Sequence, residues 1–129
     1  MAFHLAGRLD DKRTPVVCIP GYCRNMVDYA DFAALFHQLG EPDWPIVLID
    51  LFGRGRSDDR KNQSDYTTTN DANDLAMLLA SLGIERAVFL GQDHGGQTIM
   101  ALAAAYAFAA EYLNRTGKGD DRFDWAVGI

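Results

Sequence analysis

Apolar residues along this chain fall into two patterns. Val16-Val17-Cys18-Ile19, Ile46-Val47-Leu48-Ile49 and Ala87-Val88-Phe89-Leu90 are short unbroken runs. Each closes on a turn signal: Pro20-Gly21, then Asp50 with the Gly53/Gly55 loop, then Gly91. Unbroken rather than alternating runs predict strands buried on both faces, as in a parallel sheet. Between them the spacing becomes helical. Phe32, Leu35, Phe36 and Leu39 fall at i, i+3, i+4 and i+7, with Gly40 as the C′ residue. Leu75, Leu78, Leu79 and Leu82 repeat the pattern up to Gly83, and Thr68 with Asp71 predicts the cap that starts this helix. Ile99, Leu102, Ala103 and Tyr106 open a third helix that runs to about Leu113.

Strands alternating with helices predict right-handed βαβ units, an α/β fold with a doubly wound, mostly parallel sheet. The 129 residues suffice for one domain, here a partial core over 1–129. Residues 114–122 are polar and carry Gly117 and Gly119, so they read as a loop or hinge. Phe123 to Ile129 then opens a fourth parallel strand. A net charge of -6 argues against nucleic acid or an anionic membrane as partner. The charged start, MAFHLAGRLDDKR, is not a secretory signal, and Ile99 to Ala110 is too short to span a bilayer. With only Cys18 and Cys23, reduced thiols and a cytoplasmic location are expected.

Chemistry concentrates at the strand ends. The third run leads into Gly91-Gln92-Asp93-His94-Gly95-Gly96 and then a helix. This is the shape of a nucleophile elbow, Gly-x-Nuc-x-Gly, with Asp93 at its centre. Such a turn holds its central residue in a strained conformation, and side chains at the flanking positions would collide. Pro20-Gly21-Tyr22-Cys23-Arg24-Asn25 follows the first strand, and Asp50-Leu51-Phe52-Gly53-Arg54-Gly55-Arg56-Ser57 follows the second. A dinucleotide reading of Gly53-x-Gly55 fails, because Asp58 stands where the third glycine belongs and no helix follows at once. That segment reads as a structural turn, and no cofactor is expected.

From Thr14 to Leu113 the chain resembles the α/β-hydrolase superfamily, with the three motifs in that family's order. The middle one is similar to its D-x-x-G-x-G-x-S turn. The resemblance implies two backbone oxyanion donors, the N–H groups of Tyr22 and His94. The Tyr22 loop is similar to the ester-hydrolase branch, whereas Asp at the elbow is similar to epoxide hydrolases and haloalkane dehalogenases. A carboxylate can attack carbon without first losing a proton, and the ester so formed then needs water activated by a base. The bland alternative for Asp93 is a helix N-cap.

The family order also implies an acid and then a His after the nucleophile. No His follows His94. His4 lies in the N-terminal segment, His37 is expected to face solvent, and the His94 ring is expected to point away from Asp93. Asp120, Asp121 and Asp124 follow the elbow but have no His to orient. Cys23 lacks an evident base, and three scattered His with two Cys form no metal spacing. The chain therefore reads as the N-terminal half of a hydrolase, truncated before its acid, base and lid. Its expected partner is a small-molecule substrate with an ester, epoxide or halide bond. Two alternatives stay open. One is a non-catalytic binding or oligomerising domain, whose sheet edge near Ile129 favours association of copies. The other is a serine esterase with Asp replacing its nucleophile.

Overall fold

A computed structural model describes residues 1–115 and 126–127. Five strands form one sheet: β1 (Ala2–Ala6), β2 (Val16–Ile19), β3 (Ile46–Asp50), β4 (Val88–Gly91) and β5 (Ala126–Val127). Their spatial order is β1-β3-β2-β4-β5. β2 pairs in parallel with β3 and β4, and β4 with β5, whereas β1 runs antiparallel to β3. Among the described residues, three α-helices connect them, α1 (Ala30–Leu39), α2 (Thr68–Ser81) and α3 (His94–Arg115), with short 3-10 turns at Met26–Tyr29 and Gln63–Asp65. The crossover direction reverses at β2, so the sheet is doubly wound.

Residue parity along the strands divides the core into two layers. Val17, Ile19, Val47, Ile49 and Phe89 face α2 and α3, where they meet Leu75, Leu79, Ile99 and Leu102. Val16, Cys18, Ile46 and Leu48 face the other way, onto Met26, Ala33, Phe32 and Phe36. A strand covered on both sides needs apolar residues at every position, and all four residues of β2 and all five of β3 are buried.

Several expectations are corrected. β1 was not foreseen, and His4 lies within it. Leu35 and Leu39 are exposed, and Ala33 is the buried residue of α1. His37 is half-buried instead of facing solvent, with its Nε2 2.7 Å from the Trp44 carbonyl oxygen. Gly40 does end α1, but at φ -119 it is not left-handed. The α2 cap is Thr67, whose hydroxyl accepts from the Asn70 N–H at 3.1 Å, and not Thr68. α3 includes Asn114 and Arg115, expected in the loop; residues 116–122 lie outside the described residues, as do Asp120, Asp121 and Asp124. Of the segment 123–129, Ala126 and Val127 form the parallel strand β5.

Candidate functional site at the carboxyl ends of the strands

In an open parallel sheet the crevice for ligands lies beyond the carboxyl ends of the strands. Three segments converge there: Pro20–Asn25 after β2, Leu51–Ser57 after β3, and Gln92–Asp93 between β4 and α3. Asp50 ties the first two together. Its buried carboxylate accepts from the Met26 N–H at 2.8 Å and from the Arg56 N–H at 2.8 Å. Gly55 makes this possible. It stands at φ +52, and a Cβ there would lie 2.2 Å from Asp50 Oδ2. Ser57 Oγ donates to the Asp50 carbonyl oxygen at 2.5 Å and accepts from the Ala2 N–H at 2.7 Å. The Asp50–Ser57 segment thus braces the loops.

The turn at Asp93 is tight. A Cβ on Gly95 would lie 2.3 Å from the Ile19 carbonyl oxygen, and one on Gly91 would lie 2.7 Å from Ile99 Cδ1. Gly96 and Gly21 are different, since a Cβ would meet nothing closer than 3.7 and 3.5 Å respectively. Collision therefore explains only Gly91 and Gly95 among the four. Asp93 has φ 55, left-handed and uncommon for a residue with a side chain. Its carbonyl oxygen accepts the Gln97 N–H at 3.0 Å, which starts α3. Its carboxylate turns across to the neighbouring loop, where Oδ2 accepts the Tyr22 N–H at 3.4 Å. His94 is the first residue of α3, so its N–H has no partner inside the helix. Cys23, exposed beside Tyr22, is also left-handed at φ 57. Cys18 is inert by contrast, because burial pushes its thiol up to about 12.

The His94 side chain leaves Asp93 for a buried acid. Its Nε2 lies 2.8 Å from Asp71 Oδ2. Asp71 sits in the first turn of α2, and its other oxygen accepts from Arg60 Nη2 at 2.7 Å. Arg60 also reaches Asp74 at 2.6 Å and lies 5.0 Å from the Phe52 ring centroid. Arg54 Nη1 is 3.7 Å from Asp71 Oδ2. A charged group this far out of water needs partners, and Asp71 has Arg60 and His94 within hydrogen-bond distance. Its role escaped sequence reasoning, which took it for part of a cap. Asp71 and His94 are 23 residues apart, and no spacing rule relates an acid on one helix to the first residue of another.

Tyr22, Arg54, Tyr66, Asp71 and His94 line a cleft of about 570 Å³ that opens beside the Asp93 turn. Tyr22 is 65% exposed at its rim, with its ring edge-on to His94 at 6.3 Å. Among the described residues, no histidine is hydrogen-bonded to Asp93 and no group of three His, Cys, Asp or Glu is placed to hold a metal ion. No described helix is long and apolar enough to cross a membrane.

Residues 14–114 match the family model described as the alpha/beta hydrolase fold. The chain is similar to the proline iminopeptidase of Saccharolobus solfataricus, at 43% identity over 71 residues, 54% of this chain and 22% of that protein. It is similar to epoxide hydrolase 4 of Mus musculus, at 35% identity over 72 residues, 54% of this chain and 20% of that one. A solved alpha/beta hydrolase from Novosphingobium aromaticivorans is 39% identical, with a TM-score of 0.70, covering 80% of this chain and 34% of its own. The chain thus spans between 20% and 34% of the length of these relatives.

Proposed function

The chain belongs to the alpha/beta hydrolase fold family, and from that premise we propose that it is a hydrolase of small molecules whose reacting group is the Asp93 carboxylate. The observation that carries this reading is the contact of 3.4 Å from the Tyr22 N–H to Asp93 Oδ2. One oxygen is held by a backbone donor, which leaves Oδ1 to attack. The left-handed backbone at Asp93 adds support, since strain of this kind persists where the surroundings enforce it and clusters at active sites.

The chemistry follows from the carboxylate. Oδ1 displaces a leaving group at an electrophilic carbon, such as an epoxide carbon. The new C–O bond makes an ester of Asp93, the ring C–O bond breaks, and the ring oxygen takes a proton from solvent water. Water then attacks the carbon of that ester and loses a proton to solvent, which balances the one taken up at the ring oxygen. Charge gathers on Oδ2, where the Tyr22 and His94 N–H groups stabilise it. Breaking the ester bond releases the diol and restores the carboxylate. The same elbow and donors could serve an acyl ester if serine stood at position 93, which is the second reading.

The two steps separate in the test. Styrene oxide incubated with the chain is expected to add its mass to the intact protein, at Asp93 by peptide mapping, and not to the Asp93→Asn variant. The adduct is expected to accumulate, because no described histidine is bonded to Asp93. A wild-type chain that stays unmodified after prolonged incubation overturns the reading. Gain of p-nitrophenyl acetate hydrolysis by Asp93→Ser, with no adduct on wild type, selects the second.

A further inference from the structure

Arg54 is the cation in the cleft whose charge the fold leaves least matched. Its side chain is 13% exposed. Its hydrogen bond runs from Nη1 to the Phe52 carbonyl oxygen at 3.3 Å. Asp71, its nearest acid, has each oxygen already engaged at shorter range: Oδ1 by Arg60 at 2.7 Å and Oδ2 by His94 at 2.8 Å. At 3.7 Å from Oδ2, the Arg54 Nη1 atom is beyond hydrogen-bond reach. The other arginines nearby differ. Arg60 is shared between Asp71 and Asp74, and Arg24 grips both oxygens of Asp28 at 2.6 and 3.0 Å. A guanidinium offers five N–H donors in a planar fork. Arg54 uses one of them, and none of its nitrogens is sealed from the cleft as an unpaired buried atom. The chain as a whole carries a charge of -6, so a largely buried cation in this cleft, with one hydrogen bond and its nearest acid 3.7 Å away, runs against the general field.

We propose that Arg54 receives a carboxylate of the substrate in this cleft, so that the compound presented to Asp93 is an epoxide or ester carrying a free carboxylate. This rests on the reading of Asp93 as the reacting group. The planar fork pairs with a carboxylate through two parallel hydrogen bonds. Tyr22 links the two functions, because its ring lines the cleft while its N–H faces Asp93.

Monomethyl glutarate, a half-ester with one free carboxylate, and its neutral dimethyl ester are the probes. Both are titrated by calorimetry and by amide chemical shifts against the 129-residue chain. The half-ester is expected to bind wild type at least about tenfold more tightly than the diester, with shifts at Tyr22, Arg54 and His94. Arg54→Gln is expected to erase that preference, and Arg54→Lys to keep part of it. Equal binding of the two probes to wild type overturns the proposal without any variant. So does no half-ester binding below about 10 mM, a Kd that corresponds to almost no useful affinity. An Arg54→Gln chain that is folded by circular dichroism and keeps the preference overturns it too. Wild type that binds the half-ester but acquires no styrene oxide adduct supports the Arg54 site and counts against the Asp93 reading.

Discussion

Asp93 shows how one residue can be misfitted to its backbone and suited to its surroundings. A left-handed φ of 55 costs a residue with a Cβ about 1 kcal/mol relative to glycine. The carboxylate spends its hydrogen bond on Tyr22 and not on the first turn of α3, so it recovers no capping energy within that helix. Asp93→Gly is therefore expected to raise the free energy of unfolding by up to about 1 kcal/mol in a urea titration while abolishing the styrene oxide adduct. A loss of stability would mean that the Tyr22 contact contributes more than the strain removes. The tight turn at Asp93 was legible because glycine at 91 and 95 is forced by contacts a Cβ would violate, and such constraints leave a mark in sequence. The Asp71–His94 pair left none, because what creates it is the approach of α2 to α3.

At the scale of elements, legibility followed burial. β2 and β3 were readable because both faces are buried, so nearly every position is apolar, and β4 carries the same unbroken apolar run although Val88 is exposed. β1 escaped because it is an edge strand, with Phe3 and His4 exposed and no continuous run to announce it. In α1 the apolar spacing pointed to Leu35 and Leu39, yet these are 52% and 77% exposed, because the helix turns Ala33 to the sheet and Phe32 and Phe36 to its flanks. The start of α2 was misplaced by one residue within the run Thr67-Thr68-Thr69, where composition cannot say which hydroxyl caps. The structure makes this testable. Thr67→Ala is expected to lower stability by about 1 kcal/mol, and Thr68→Ala by a few tenths at most, read as urea midpoints with an unchanged slope. Equal effects would return the cap to Thr68.

Across the whole molecule, one carboxylate joins three separate parts of the chain. Asp71 on α2 holds Arg60 of the loop beyond β3, and His94 at the start of α3. Removing one member of a buried ion-paired set leaves the others uncompensated, at a cost of about 3 kcal/mol or more. Asp71→Ala is expected to destabilise by that amount, and amide exchange is expected to quicken in the Arg54–Arg60 loop and the first turn of α3 together. A loss confined to α2 would show that the three parts are held independently. The order of elements was recoverable from sequence because each motif sits at a strand end. The cleft was not, because its walls come from segments tens of residues apart.

The reversal of β1 has a practical consequence. Because this strand runs against its neighbour, Ala2 stands opposite Asp50, at the end of the sheet where the cleft opens, and is pinned there through Ser57. Anything fused ahead of Met1 emerges at that end. A bulky purification tag would crowd the entrance, whereas a small environment-sensitive dye at the same point would sit where it could sense a molecule arriving.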